Sequence, residues 1–335
     1  MATHYLYGTV LTGEAVAANN RGDNIGNTTT LQKVFHQDDL HTSVSAEAIR
    51  FALRYRFQLE GMETNRKYDT EGGRLNYEDE KRTYWNGDGR VFIDDDVMGF
   101  MDAAAAKKES EDEAVGGDES AAVKSSPKGA RKTRAKGITT KRTSPLAVGR
   151  AVSLRPYRGE LSFNAVSGQK VKGKLSLYNA EMHTTEYQYS FGLNLDDVID
   201  KANIGHLIDA ITDPPSVAGN HARFAFDFSP ASIVLRVTKA HSSKIQNCFE
   251  HNEASRGYTV ERLIKRIEAG DIPAGELIIG GELASTPEGT KLAELGVKVC
   301  GGIKEAANEA RSRIAGFGDD LAGVANGGAR DHAAS

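Results

Sequence analysis

Side chains that can hold a phosphodiester chain are concentrated in one polar segment near the start of the sequence. The segment AVAANNRGDNIGNTTTLQKVF (residues 15–35) has four asparagines and three consecutive threonines, and Ile25 is its only large apolar residue between Val16 and Leu31. Its amides, hydroxyls and cations can contact phosphate and sugar oxygens. The candidate contacts are Asn19, Asn20, Arg21, Gln32 and Lys33.

A predicted helix follows this segment, and its N-terminus offers a second set of contacts. Thr42, Ser43 and Ser45 lie at the start of SAEAIRFALRYRFQ, where unpaired backbone N–H groups favour an anion. Arg50 and Arg54 stand four residues apart and would share one helix face. The alternative is that Ser45 only caps the helix and that both arginines pair with nearby glutamates.

A polar loop near residue 220 is a further candidate. Asn220, His221 and Arg223 precede a strand, SIVLRVT. These side chains could contact a phosphate or a base, or they could form an exposed turn.

A basic ribbon is predicted between residues 158 and 184. Lys170, Lys172 and Lys174 alternate, so on a strand all three would face one way. With Leu175 and Met182 nearby, such a ribbon could follow a nucleic-acid strand and wedge between its bases. The alternative is an edge hairpin whose lysines discourage aggregation.

The sequence offers fewer candidates for catalytic groups than for phosphate contacts. The sequence has neither a GxxxxGK[ST] loop nor a strand-linked GxGxxG fingerprint. His36 and His41 lie beside the polar segment and could cleave RNA by general acid–base chemistry. Asp23 could position a reacting group in the same segment.

The sequence shows no complete set of four ligands for a structural metal ion. The acids Asp94, Asp95 and Asp96 are more typical of a solvated turn or helix start than of a metal site. One Cys-x2-His pair, Cys248 and His251, has only His241 as a distant third partner. We expect no metal and no cofactor.

The bulk composition limits the broad class. The 335 residues carry a net charge of −4, so nucleic-acid binding would have to come from local clusters. Two cysteines make no disulfide framework, which suits a reducing compartment. Without a signal peptide or a long apolar run, the sequence predicts a cytoplasmic protein that does not bind membranes.

The elements that would position these residues alternate between strand and helix periods. After the first strand, YLYGTVLTG, the polar segment reads as a loop, and the first helix places Ile49, Leu53 and Phe57 on one face. The strand EYQYSFGLNL alternates large apolar and small polar residues. Asp197 is predicted to open the second helix, which two prolines end at 214–215.

Together these elements predict an α+β fold with a ferredoxin-like βαββαβ core, helices on one sheet face and the other face free for a ligand, as in RRM-like modules. Residues 60–148 form a large insertion, of which 102–143 read as a disordered charged loop. Residues 158–184 form a hairpin-like projection. The core then comprises residues 1–59, 149–157 and 185–315, and residues 316–335 form a flexible tail.

Five ordered motifs resemble the DevR-type branch of the CRISPR-associated backbone proteins, which are RAMP proteins of the Cascade surveillance complex. They are LYGTVLTGEAVAANNRGDNIGNTTTLQK with HTSVSAEAIRFALR, FIDDDVMGFM, AVSLRPY, YQYSFGLNLDD and GNHARFAFDFSPASIVLRVT. The resemblance implies an RRM-like palm, a fingers insertion at 60–148 and a thumb β-hairpin at 158–184. It implies a subunit of a type I complex, subtype I-B.

The resemblance also implies a function without catalysis. The subunit would polymerise head to tail along crRNA, hold its sugar-phosphate backbone and let the spacer pair with target DNA, beside other Cascade subunits. The implied RNA contacts are Asn20, Arg21, Gln32, Lys33, Ser43, Ser45, Arg50, Arg54, Asn220, His221 and Arg223. The alternative is a RAMP-type endoribonuclease that processes repeat RNA through His36 or His41.

Overall fold

A computed structural model describes residues 3–18, 24–26, 28–36, 38–69, 73–86, 91–101, 141–165, 177–217, 226–253 and 257–318. Several predicted contacts lie outside these ranges. They are Asn19, Asn20, Arg21, Asp23, Lys170, Lys172, Lys174, Leu175, Asn220, His221 and Arg223. Most of the predicted charged loop and tail also lies outside them.

Strands and helices alternate along the described chain. The strands are β1 (Tyr5–Thr12), β2 (Ala15–Ala17), β3 (Asn24–Ile25), β4 (Thr28–Thr29), β5 (Lys33–His36), β6 (Asp39–Val44), β7 (Arg66–Asp69), β8 (Arg74–Tyr77), β9 (Phe100–Met101), β10 (Lys141–Arg142), β11 (Leu146–Val148), β12 (Ala151–Ser153), β13 (Glu160–Ala165), β14 (Leu177–Thr185), β15 (Tyr187–Asn194), β16 (Pro230–Thr238), β17 (Glu250–Asn252), β18 (Gly257–Thr259), β19 (Leu277–Gly281) and β20 (Lys298–Cys300). The helices are α1 (Ala46–Leu59), α2 (Ile93–Met98), α3 (Ala202–Thr212), α4 (Glu261–Glu268), α5 (Pro287–Glu294) and α6 (Ile303–Ala315).

One large sheet organises the molecule. Its strand order is β20-β19-β16-β1-β15-β12-β6-β5, and β11 also pairs with β15. The central strand β1 is antiparallel to both β15 and β16. The protein is therefore a mixed α/β fold built around a sheet whose free edges are β5 and β20 among the described strands.

The first core lies between this sheet and helices α1, α2, α3 and α6. Ile49, Leu53 and Phe57 are buried on α1, as the helical spacing predicts. On β15 the large side chains from Tyr187 to Leu193 are buried at alternate positions, which is the pattern of a strand facing a core.

The opposite face of the sheet is also covered, so the prediction of a free face was wrong. A second core contains Leu11 and Val234 from the sheet, with Phe249 and Leu263 packed against them. Even the polar residue Gln188 on β15 is buried, and its amide donates to the Phe249 carbonyl at 2.9 Å. A ligand must therefore bind at the sheet's edges or loops.

Three predicted boundaries also shift. The segment taken as a loop before α1 contains the β5–β6 pair. Lys141 and Arg142, placed in the disordered loop, form β10 against β9. Phe317, placed in the tail, packs against the first core and lies 4.4 Å from the His4 ring.

The second helix begins later than predicted, at Ala202 rather than Asp197. The backbone N–H groups of Ile199 and Asp200 donate instead to the Asp96 carboxylate, at 3.0 and 3.1 Å. Among the described residues, no helix is both long and apolar enough to cross a membrane.

Candidate nucleic-acid interface

The β5–β6 pair ends the large sheet and carries the described part of the predicted polar interface. Lys33 is opposite Thr42, and the turn places Asp38 at a positive φ of 67°. Phe35 on this edge is 83% exposed. The pair therefore presents a strand edge, rather than a flexible loop, beside the neighbouring hairpin.

Lys33 is the centre of a compact polar contact with the β13–β14 hairpin. Its ammonium forms an ion pair with the Glu181 carboxylate and lies 4.8 Å from the Tyr157 ring centroid. The same carboxylate accepts the backbone N–H of Leu31 at 2.6 Å. This contact joins the sheet edge to the hairpin.

Arg150 lies beside Gln32 and Ser43, and the sequence analysis did not predict it. Its exposed guanidinium donates to the Gln32 side chain at 3.4 Å and to the Ser43 hydroxyl at 3.2 Å. Gln32 and Ser43 are joined again because the Gln32 carbonyl accepts the Ser43 N–H at 2.8 Å. Gln32, Ser43, Arg150 and Lys33 form the group that we call the polar edge.

Thr42 and Ser45 have internal roles. Thr42 lies within β6, and its hydroxyl is 2.8 Å from both His183 Nδ1 and the Tyr187 hydroxyl. Ser45 caps α1, since its hydroxyl accepts the Ala48 N–H at 3.2 Å. Thus only Ser45, and not Thr42 or Ser43, stands at the helix N-terminus, because β6 continues to Val44.

Arg50 and Arg54 share one helix face, as predicted, but that face points into the protein. Arg50 donates to the carbonyls of Leu146 at 2.9 Å and Met98 at 2.6 Å. Arg54 lies 3.5 Å from Asp94, and burial lowers its pKa to about 10. Because their donors are directed at protein groups, we leave both arginines out of the polar edge.

The three acids before Gly99 form a buried hub rather than a solvated helix start. Asp94 accepts the Asn65 N–H at 2.7 Å, and Asp95 accepts the Tyr84 hydroxyl at 2.7 Å. Asp96 pairs with Arg142 at 2.6 Å. Burial, followed by repulsion from Asp95, raises the pKa of Asp94. These contacts fix α2 against the first core.

The alternative metal ligands are dispersed. His241 Nδ1 lies 2.9 Å from the Tyr5 hydroxyl, and burial raises the pKa of the Cys248 thiol to about 12. Within the described ranges, no three His, Cys, Asp or Glu side chains are arranged to hold a metal ion.

The two histidines proposed for RNA cleavage lie together at the sheet edge. Their ring centroids are 5.3 Å apart. His41 is buried, its Nδ1 is 2.7 Å from the Ser153 carbonyl, and burial lowers its pKa. His36 is half-buried. This arrangement orients His41 toward the protein backbone.

The β13–β14 hairpin lies beside the polar edge, which it contacts through Glu181 and Lys33. It pairs Glu160 with Met182, and Met182 is half-buried. Among the hairpin side chains that the structure describes, Leu161 and Phe163 are apolar and exposed, by 60% and 71%, and they share one strand face. The sequence signal for them was the alternation Leu-Ser-Phe at 161–163, which the prediction did not use.

A cavity of about 400 Å³ lies at the base of this hairpin. It is lined by Arg155, Pro156, Arg158, Glu160, His183, Thr184, His251 and Glu253. Arg155 is held there by Glu186 and Glu14, at 3.0 and 2.5 Å. The polar edge, the hairpin and this cavity are thus continuous on one side of the molecule.

This fold is shared with subunits of nucleic-acid-guided assemblies. A chain of a solved "CRISPR RNA-guided surveillance complex" superposes with a TM-score of 0.53 at 12% identity, covering 92% of this chain and 99% of that one. A chain of a "CRISPR RNA-guided surveillance complex, pre-nicking" gives a TM-score of 0.54 at 14% identity, with the same coverage of both chains.

Sequence comparison identifies the family. The model described as "CRISPR-associated negative auto-regulator DevR/Csa2" matches residues 10–256. A Myxococcus xanthus (strain DK1622) protein described as "CRISPR-associated protein Cas7/Cst2/DevR" is 36% identical over 287 residues, which are 83% of this chain and 87% of that protein. The chain belongs to the DevR/Csa2 family of CRISPR-associated proteins.

Proposed function

We propose that this protein is a non-catalytic backbone subunit of a type I CRISPR surveillance complex, of subtype I-B. Several copies would bind head to tail along crRNA and hold its sugar-phosphate backbone, while the spacer pairs with target DNA. The observation that carries the proposal is the polar edge beside the β13–β14 hairpin, in a member of this family whose sheet faces are both covered.

The parts of the fold take the roles that the family suggests. Strands β16, β1, β15 and β12 lie side by side and alternate in sequence with α1 and α3, which supports a ferredoxin-like palm. The insertion after α1 would be the fingers, and the β13–β14 hairpin the thumb. Leu161 and Phe163 are the apolar groups on that hairpin that could wedge between bases.

Contacts at the polar edge suit a subunit that must hold any spacer. Gln32, Lys33 and Arg150 offer an amide, an ammonium and a guanidinium, which bind phosphate and sugar without reading the base sequence. Base pairing of the guide would then supply the specificity.

The proposal predicts that Lys33→Ala combined with Arg150→Ala lowers RNA affinity. The loss of two phosphate contacts should reduce affinity about tenfold or more. It should also make the negative slope of log K against log salt concentration shallower by about 1.4. Filter binding with labelled single-stranded RNA across a salt series measures both. Lys298→Ala, an exposed lysine on the opposite sheet edge, is the matched control, and equal affinities for all three proteins would refute the proposed interface.

The competing function is cleavage of repeat RNA by His36 or His41. The pKa of His41 is lowered and its Nδ1 is taken by a backbone carbonyl, so we expect no cleavage. Incubation with end-labelled repeat RNA should leave the substrate intact. Site-specific products that vanish in His36→Ala or His41→Ala would establish the enzyme instead.

A further inference from the structure

One carboxylate at the polar edge occupies a site built for an anion. Glu181 of β14 accepts the backbone N–H of Leu31 at 2.6 Å and receives the Lys33 ammonium on the same oxygen. The Tyr157 ring lies beside the same ammonium, with its centroid 4.8 Å from Lys33 Nζ, and its hydroxyl donates to the Glu160 carbonyl at 3.4 Å. Two donors from separate groups, a main-chain N–H and an ammonium, therefore converge on one carboxylate oxygen.

These donors are the types that hold a phosphate. A backbone N–H and an ammonium recur in contacts to nucleic-acid phosphates, and both are stronger when the acceptor is ionised. A simple surface ion pair would need only the lysine and the acid. Here a main-chain N–H donates to the same carboxylate oxygen, and the Tyr157 ring lies beside the ammonium.

The site is reachable from solvent. The side chains of Lys33 and Glu181 are 20% and 15% exposed, and Arg150 lies on the same sheet edge through its contacts to Gln32 and Ser43. A polynucleotide that follows the polar edge would pass the carboxylate, which is the one negative group in direct contact with Lys33 among the described residues.

We propose that the Leu31 N–H and the Lys33 ammonium form a phosphate-binding site for the RNA backbone, and that Glu181 is an internal anion that fills it until RNA displaces the carboxylate. This inference rests on the proposed function. Because Glu181 belongs to the β13–β14 hairpin and its two donors do not, phosphate binding releases a hairpin contact. The hairpin is then freed as the RNA backbone enters.

The test measures the affinity of the full-length protein for a labelled single-stranded RNA of arbitrary sequence. Glu181→Gln keeps the side-chain shape but removes the competing charge. It should bind RNA about five- to tenfold more tightly, because no carboxylate has to be displaced, and leave the salt slope unchanged, since the same phosphate contacts form in both complexes. Adding Lys33→Met to Glu181→Gln should abolish the gain.

Glu160→Gln is the matched control, because it removes an exposed carboxylate from the adjacent strand of the same hairpin. An equal gain in Glu160→Gln would show a general charge effect and overturn the inference. So would unchanged or weaker binding by a folded Glu181→Gln. If Glu181→Gln fails to fold, Glu181→Asp withdraws the carboxylate by one methylene and should give part of the gain, and its absence would likewise overturn the inference.

The two proposals fail in different ways. Wild-type protein that binds RNA while Glu181→Gln shows no gain leaves the proposed function standing and removes this site. Absence of RNA binding by both proteins removes the proposed function, and the phosphate site with it.

Discussion

At the scale of single residues, His183 couples the hairpin to the sheet through a buried network. Its Nδ1 lies 2.8 Å from the Thr42 hydroxyl, and its ring packs edge-on against the Tyr157 ring. Burial lowers the pKa of His183 to about 4, and the charges of His41 and Arg155 add to the shift.

This lowered pKa predicts a loss of stability in acid. The unfolded chain takes up the proton near pH 6.5 and the folded protein only near pH 4, so stability falls as pH drops through that window and is unaffected above it. Between pH 7.5 and pH 5 the wild type should lose about 1–2 kcal/mol of unfolding free energy through His183. His183→Gln should not show this part of the loss. Urea unfolding at both pH values measures it, with His206→Gln, a histidine on α3 outside this network, as the control. An identical pH dependence in wild type and His183→Gln would contradict the assignment.

The residues of the candidate site were predictable only in part. Gln32, Lys33 and Ser43 were predicted because amides, hydroxyls and cations cluster in the sequence, and the structure brings them to one sheet edge. Arg150 was missed, because it becomes a neighbour of Ser43 only when β12 pairs with β6. Arg50 and Arg54 were placed on the correct helix face, but their partners come from residues 94–98 and 144–146, which local spacing cannot show.

At the scale of elements, α2 depends on its acids. Asp96 holds Arg142 at 2.6 Å, the Ile199 and Asp200 N–H groups, and the Asn203 amide at 2.9 Å. Its carboxylate therefore ties together three segments that are distant in the sequence.

Asp96→Ala should accordingly destabilise the protein strongly. Removing one partner leaves the Arg142 guanidinium, which is only 11% exposed, without its counter-charge, and such losses cost about 3–5 kcal/mol. Denaturant unfolding followed by tryptophan fluorescence measures the effect. Asp271→Ala removes an exposed acid that lies 3.7 Å from Lys244 and should cost less than about 1 kcal/mol. Similar losses of unfolding free energy in the two variants would show that Asp96 does not have this structural role.

Hydrophobic periodicity was sufficient for β1, α1, β15, β16 and α6, whose apolar residues recur at strand or helix spacing. It failed where polar groups decide the structure. The three acids of α2 are buried because arginines and backbone donors surround them, and α3 starts late because Asp96 captures the preceding N–H groups. Strand β5 was hidden because its polar ends resemble a loop.

At the scale of the whole molecule, the two cores decide where a polymer can bind. The first core covers one face of the sheet and the second core the other, so an RNA chain bound as we propose would meet the edge of the sheet instead of its surface. The two free edges, β5 and β20, lie at opposite ends of the sheet. A molecule with its interface at one end can repeat along a polymer without covering the next copy's site.

This arrangement predicts that RNA length sets the size of the assembly. Copies that bind head to tail along the RNA should each occupy a constant number of nucleotides. The mass of the complex should then rise by one protein for each fixed increment of RNA length. A net charge of −4 on each chain leaves little repulsion between copies once the RNA is bound. Light scattering after size-exclusion chromatography, on a series of RNAs of increasing length, measures the step. Lys33→Ala with Arg150→Ala should shift the whole series toward free protein, whereas Lys298→Ala should not. A complex that contains one protein at every RNA length would mean that the chain binds RNA without forming a backbone.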